Sequence, residues 1–423
     1  MNITIQITKG QLPTVIQEIY THGCEIHKTM LHDTLDGRDT YSLEVSYSNS
    51  ELYNNLLAKL NSLGGGIKIV EIKNILEDTI IGGLLRMVFK LPIESHADYE
   101  MNLLGAGALI TEMASRENAM QYSGISRAIA LIHGAPRKDA TPTAAYIRRH
   151  VMLEKDSALI QRFVGLNGYP ILIEYNHIED FFKTLQGIQS GFSAMRIQDI
   201  DGVEDSTAFE QLYDAANMPI LTHAYDELPL SILSELMHLL KKNRVDNDTT
   251  NIGIIGINAT ALRLTRLLVT MGFSRILGCD NNEKLMLVFE KTHGMATTPD
   301  NIFNNADILF IFKNHYTIDE FYKIRAGQML FSLIEEEDEL ETSVILEKGV
   351  KEYIPCSHIE SMVFFPGLLK GMLHTGVRRI TDSMLIGLAE KMNTMRSSRT
   401  GEQTLFGTLH ERVAEFTRTI QME

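Results

Sequence analysis

Cysteine is scarce. The three in 423 residues, Cys24, Cys279 and Cys356, lie far apart with no paired spacing. That excludes a disulfide framework and gives no zinc-ligand pattern. There is no basic excess either: 39 lysines and arginines face 54 acids, a formal charge of −15. Such a balance argues against nucleic acid or an anionic membrane surface as the main partner. No apolar run is long enough to span a bilayer, and no signal-peptide pattern precedes the strand-like opening MNITIQIT. A reducing, cytoplasmic setting is therefore expected. Low-complexity tracts and internal repeats are also lacking. What is there is ordinary globular composition, 44% hydrophobic and 22% charged. The length suits two to four domains, each able to bury its own core.

The most informative stretch is 251–282, NIGIIGINATALRLTRLLVTMGFSRILGCDNN. A short apolar run precedes a glycine turn, and an amphipathic helix follows to Met271. Gly272 closes that helix, and a second apolar strand ends on Asp280. This is a βαβ unit with a carboxylate where a dinucleotide fold places its ribose partner. The three glycine-fingerprint positions hold Gly256, Asn258 and Ala261. Gly256 suits the tight turn and Ala261 is small enough for helix–strand packing. Asn258 puts a side chain where a pyrophosphate needs open backbone. Asp280 favours NAD over NADP, because a carboxylate accepts from ribose hydroxyls and repels a 2′-phosphate. The alternative is a plain turn-forming aspartate at a strand end.

The first 76 residues read βαββαβ, the ferredoxin-like split fold. Residues 2–8 alternate apolar and polar, a helix covers 12–21, and strand signals fall at 24–32 and 41–47. A helix covers 50–63, a glycine triplet stops it, and a last strand covers 67–72. This segment resembles the ACT domain, a regulatory module that binds an amino acid or other metabolite at a dimer interface. Gly10, between the first strand and helix, stands where that family offers backbone N–H groups to its ligand. A plain dimerisation module without ligand is the other reading.

Strands and helices alternate through the middle of the chain, which makes it α/β. The polar run NRVDNDTT at 243–250 is the best boundary. GLLRMVFKLPIESHAD, ALIQRFVGLNGYPI, SAMRIQDIDG, AANMPIL, the dinucleotide unit and VFFPGLLKGMLHTGVRRITDSMLIGLAEKM occur in that order. In that order they resemble the malic enzymes over roughly 80–395. The closing piece, with Phe365, Pro366, Gly367, Gly371, Arg379, Ile380 and Thr381, is the most specific. The resemblance implies oxidative decarboxylation of malate to pyruvate with NAD or NADP and Mg²⁺ or Mn²⁺.

Carried over residue by residue, the implied site is altered. The family's catalytic tyrosine, in YTPG, falls on Leu103 by gapless counting; Tyr99 and Tyr122 are out of register. Its catalytic lysine, in MEGKA, is matched by Lys155 of MLEK; a solvated lysine at a helix start is the alternative. Of the metal ligands in LEDI, Asp199 is kept and Gln198 replaces the glutamate. The third ligand's segment reads THAYD, with Asp226 displaced by two positions and His223 beside it. One carboxylate and one amide make a weak site for a hard divalent cation. The asparagine motifs NPTPE and NQVNN are replaced by SLIEEE and SHIES, and the family's VTDGTAVLGLG reads IHGAPRKDATPT, retaining Gly134. Acids at 335–339 repel a dicarboxylate if they face the pocket and are otherwise a solvated loop. Asn314 falls where the family approaches the nicotinamide.

The expected architecture is α/β in three parts: an ACT-like ferredoxin-like domain at 1–76, a malic-enzyme-like N-terminal domain at 80–245, and a Rossmann domain with C-terminal helices at 246–423. Two functional readings follow. One is a non-catalytic, metabolite-responsive regulatory homologue. The other is an active NAD-dependent oxidoreductase with altered site or substrate. The candidate groups are Lys155 as base, Asp199 and Asp226 for metal, Gly256, Asn258, Ala261, Asp280 and Asn314 for cofactor, and Gly10 for an effector. Partners are small metabolites or amino acids, without nucleic acid or membrane, in a homodimer or higher even oligomer.

Overall fold

The computed structural model of the chain describes residues 2–35, 37–46, 50–64, 66–73, 83–85, 93–112, 123–137, 144–203, 206–312, 323–334, 342–360, 364–396 and 405–420. Backbone contacts divide it into two compact units, Met1–Arg86 and Met87–Glu423.

The first unit runs β1 (Asn2–Thr8), α1 (Leu12–Thr21), β2 (Glu25–Leu35), β3 (Arg38–Ser46), α2 (Ser50–Ser62) and β4 (Ile67–Lys73). The strands pair antiparallel in the order β2-β3-β1-β4. That is the split βαββαβ topology read from the sequence. Period-two alternation puts Ile3, Ile5 and Ile7 on one face, fully buried against Val15 and Ile19 of α1 and Leu56 and Leu60 of α2. Gly10, between β1 and α1, holds φ +93°, and a Cβ there would meet open space.

The second unit carries two parallel sheets. The smaller comprises β5 (Ala128–Pro136), β6 (Asn167–Tyr175), β7 (Ala194–Ile200) and β8 (Ile220–Thr222), ordered β6-β5-β7-β8. Helices α3 (Ala144–Val164), α4 (Ile178–Ile188) and α5 (Thr207–Ala215) connect these strands. A parallel strand is covered on both faces, so β5 reads as one apolar run and is buried from Ala128 through Ala135. Helix α3 begins eleven residues before Lys155, which therefore lies inside the helix and not at its start. Its first turns expose Ile147 and Val151, so their periodicity marks no buried face.

Helix α6 (Leu228–Asn243) leads to the larger sheet and ends on Arg244 in the left-handed conformation. The larger sheet comprises β9 (Asn251–Ile255), β10 (Arg275–Cys279), β11 (Met295–Ala296), β12 (Ile308–Ile311), β13 (Met329–Ser332) and β14 (Glu352–Ile354). Their order, β11-β10-β9-β12-β13-β14, all parallel, is the doubly wound 3-2-1-4-5-6 arrangement. The connecting helices include α7 (Ala259–Thr270), α8 (Glu283–Lys291) and α9 (Pro299–Asn305). Then come α10 (Phe365–Thr375), α11 (Asp382–Arg396) and α12 (Leu405–Ile420). One core joins both sheets: Ile129 and Leu131 of β5, Leu233 and Leu236 of α6, and Ile252 and Ile254 of β9 share it.

The closing signature is a packing device. A Cβ on Gly367 would lie 2.6 Å from the carbonyl oxygen of His410, and one on Gly371 would lie 2.4 Å from Cβ of Thr417. These two positions let α10 and α12 approach backbone to backbone. No helix among the described residues is long and apolar enough to cross a membrane.

Candidate functional site

Two places in the second unit collect the residues singled out above. The first is the turn after β9. Gly256 takes φ +80°, the left-handed region that favours glycine. Its N–H donates to the carbonyl of Cys279 at 2.9 Å. The Ile257 N–H donates to Asp280 Oδ2 at 2.7 Å, and the Asn282 N–H to Asp280 Oδ1 at 2.7 Å. Asn258 is the N-cap of α7: its Oδ1 accepts from the Ala261 N–H at 2.9 Å. Ala261 is fully buried, Ala259 packs into the core of the smaller sheet, and Thr260 Oγ1 donates to the carbonyl of Ala224 at 2.7 Å.

These residues fit a dinucleotide in part. Glycine conformation, strand order and the acid at the end of β10 suit one. The N-terminus of α7 does not. A dinucleotide phosphate binds open N–H groups at a helix start, and here the Asn258 side chain already occupies that place. Asn314 lies outside the described residues, as do Tyr122 and the acids at 335–339.

The second place is a cleft of about 460 Å³ at the C-terminal ends of β5 and β7, bounded by α3, the start of α6 and the start of α10. Ligands of open parallel sheets bind outside the carboxyl ends of the strands. Lys155, Asp199 and His223 line it together with Gln198 and Glu227. Arg148 stands two turns before Lys155, on the same face of α3. Neither of these two cations has an ion pair or hydrogen bond among the described residues.

The inner wall is a buried ion triad. Arg196 Nε and Nη2 donate to the two carboxylate oxygens of Glu227 at 2.6 and 2.7 Å, and Nη1 donates to Asp156 Oδ2 at 2.6 Å. The guanidinium also lies 4.0 Å over the Phe365 ring. Burial pushes the Glu227 carboxyl up. The Arg196 charge and the His223 hydrogen bond outweigh burial and bring it to about 2. Burial lowers the Arg196 value, yet its two carboxylate partners hold the guanidinium protonated, above its usual range.

Asp226 departs from the metal-binding role expected of it. It belongs to a π-helical turn, His223–Glu227, and is fully buried outside the lining of the cleft. Its Oδ2 accepts from Tyr213 Oη at 2.6 Å, and from the N–H and Oγ1 of Thr222 at 2.8 and 2.9 Å. Burial raises both the Asp226 carboxyl and the Tyr213 phenol above their ordinary values. The turn sends His223 and Glu227 toward the cleft, where Nδ1 of His223 lies 3.1 Å from Glu227 Oε2, and sends Asp226 inward.

The donor set for a divalent metal is therefore poor. Asp199 stands beside the amide of Gln198, and one of its own oxygens accepts the Ile200 N–H at 2.8 Å. Both oxygens of Glu227 are held by Arg196. Among the described residues no group of three or more His, Cys, Asp or Glu is placed to hold a metal ion. A hard cation wants several anionic oxygens, and this arrangement does not fit one.

Leu103 and Tyr99 are exposed in a short helical stretch and do not line the cleft. Gly10 belongs to the other unit. Sequence reasoning missed the Arg196 triad, whose one signal is an arginine inside an apolar strand. It also missed a second group. His133 at the end of β5 has Nε2 3.0 Å from Asp201 Oδ1, and Arg149 pairs with the other Asp201 oxygen. The Tyr175 hydroxyl donates to the Asp201 carbonyl at 2.6 Å.

The chain is similar to NAD-dependent malic enzyme 1 of Bacillus subtilis (strain 168), 22% identical over 352 residues, which are 82% of this chain and 80% of that protein. It is similar to the NAD-dependent malic enzyme of Geobacillus stearothermophilus, 20% identical over 358 residues, 77% of this chain and 72% of that one. Among solved structures, the malic enzyme of Pyrococcus horikoshii Ot3 superposes with a TM-score of 0.67 at 17% identity, over 88% of this chain and 90% of that one. That of Entamoeba histolytica gives 0.69 at 17%, over 82% and 80%. No family model matches the chain.

Proposed function

The chain is a relative of the malic enzymes, and from that premise we propose that it is a non-catalytic homologue which binds a small dicarboxylate metabolite in the cleft. One observation carries the loss of the family reaction: the carboxylates near the metal position are otherwise engaged. Asp226 is buried on Tyr213 and Thr222, Glu227 is clamped by Arg196, and Gln198 stands in for an acid. Ligand binding rests on Lys155 and Arg148, cations that face the cleft without counter-ions among the described residues. Two positive groups on one wall attract an organic anion.

In this reading the relatives' dinucleotide, NAD, is retained as a ligand without turnover. Asp280 accepts from its ribose hydroxyls, and Asn258 weakens its hold on the pyrophosphate. The first unit is an ACT-like sensor whose effector, an amino acid or similar metabolite, meets the backbone at Gly10. The whole is a homodimer or higher even assembly. Its three parts are the domains 1–76, 80–245 and 246–423.

The test is direct. Purified protein with NAD or NADP, Mn²⁺ and L-malate is expected to give no reduced cofactor at 340 nm above a blank. Turnover that disappears in Lys155→Ala overturns the proposal in favour of a second reading, an active NAD-dependent oxidoreductase. The exposed Lys155, without a partner among the described residues, and the intact Gly256 turn favour that alternative. A thermal-shift screen of dicarboxylates, amino acids and NAD then measures binding: a ligand at 100 times its Kd raises stability by about 2.7 kcal/mol.

A further inference from the structure

The π-helical turn that buries Asp226 also pairs a histidine with a carboxylate at the cleft. His223 and Glu227 stand four residues apart on it, and both line the cleft. Nδ1 of His223 lies 3.1 Å from Glu227 Oε2. A carboxylate only accepts, so Nδ1 carries the hydrogen. Glu227 is itself fixed, because Arg196 donates to both of its oxygens. A buried, immobilised partner thus sets the tautomer and the tilt of the ring. The Nδ1 side of the ring rests on that partner. The exposed part, 37% of the side chain, is therefore the Nε2 side, and Nε2 has no partner among the described residues.

The charges around this pair are unbalanced. Arg196 brings one positive charge to the wall, while Glu227 and Asp156 bring two negative ones. The buried group keeps one negative charge, and His223 is a titratable side chain in contact with it. An imidazolium there makes the set neutral. On the same cleft, Arg148 and Lys155 of α3 act against a third cation, and Asp199 of β7 acts for one. Arg149 is neutralised by Asp201. Behind the turn, Asp382 pairs with Arg263 and Arg266 of α7, and Arg266 also pairs with Glu210 of α5. Among the described residues, α6 adds Leu228 and Ser231 to the lining, and α10 with the residues before it adds Ile359, Phe364 and Phe365, all uncharged.

In the neutral ring Nε2 presents a lone pair, which an anion avoids. An anion held by Arg148 and Lys155 offsets those two cations and puts a negative charge in the cleft, and both effects favour the protonated ring. Once protonated, Nε2 carries an N–H and donates to the anion. We infer that His223 is a third anion contact of the cleft, and that the cleft takes up a proton on His223 together with its anionic ligand. The proton comes from solvent and returns to it when the ligand leaves. Glu227 and Arg196 are the positioning residues of this device. The inference rests on reading the cleft as a dicarboxylate site.

Calorimetric titration of the full chain with L-malate and with succinate, in buffers of different ionisation enthalpy, tests it. Both probes are ionised near neutral pH, so a proton gained on binding is gained by the protein. The heat is expected to vary with the buffer and to report uptake of up to about one proton per site. The complex then holds more protons than the free protein, so affinity falls as pH rises, by up to about tenfold per unit. His223→Gln is expected to bind more weakly, with no proton uptake and a flat pH dependence. A merely structural role would weaken binding without altering the proton count. Nitrogen-15 spectra give an independent reading: one histidine ring is expected to pass toward the imidazolium when malate is added, and that signal is expected to be missing from His223→Gln. Binding without proton uptake, or uptake unchanged in His223→Gln, overturns the inference and leaves the dicarboxylate reading standing. No heat with either probe overturns that reading and the inference with it.

Discussion

The dinucleotide turn and the cleft sit on the two parallel sheets of one unit, and they treat their polar groups in opposite ways. At the turn the chain satisfies itself. Asp280 accepts two backbone N–H groups, and Asn258 caps the helix that a phosphate would cap. In the cleft the inner wall is locked by Arg196, Glu227 and Asp156, while Lys155 and Arg148 have no partner among the described residues. A fold keeps its architecture through apolar periodicity and glycine geometry, which both places retain. What it binds depends on which polar groups are left over, and that differs between them.

The strongest way to break this contrast is Arg196→Met. It leaves Glu227 and Asp156 buried and uncompensated, and the expected cost is about 3–5 kcal/mol, read as a lower urea midpoint. A loss under about 1 kcal/mol would show that the wall is not the rigid partner supposed here.

Acid titration sharpens the same point. The folded value of Glu227, about 2, lies below its ordinary 4.5, so the native state holds the carboxylate charged after the unfolded chain has taken up its proton. That stabilisation is complete above pH 4.5 and is lost as pH falls toward 2, on the order of 3 kcal/mol. A Glu227→Gln protein is expected to lack that part of the acid dependence; an unchanged profile assigns it elsewhere.

A smaller effect is expected at the turn. Asn258→Ala should cost about 1 kcal/mol through loss of the cap, and Asn258→Gly only a few tenths. Asn258→Gly also opens the helix N-terminus and is expected to tighten NAD binding about tenfold. If its NAD affinity is unchanged, the cap is not what weakens the phosphate site. Smallest in stability is Lys155→Ala, within about 0.5 kcal/mol of the parent. Its loss should appear in dicarboxylate affinity, and a variant that binds as well as the parent removes Lys155 from the site.

Much of the fold was legible because it is periodic. Ile3, Ile5 and Ile7 alternate, β5 is a continuous apolar run, and residues 251–282 carry enough turn chemistry to place Gly256 and Asp280. The start of α3 was hidden because its early apolar residues face outward. The cleft was legible as far as single residues go: Lys155, Asp199 and His223 do line it. Asp226 was misplaced because counting positions takes no account of a π-helical turn, which sends neighbouring side chains to opposite sides. His133 and Asp201 lie 68 residues apart, and no local pattern announces a pair of that kind.

The Asn258 cap bears on how stability depends on a bound nucleotide. A helix whose first turn is capped by a bound nucleotide draws part of its stability from that ligand, and that part varies with the ligand's concentration. Here one side-chain oxygen closes the first turn of α7 from within the chain. The first turn of α7 is thereby capped whether or not a nucleotide is bound.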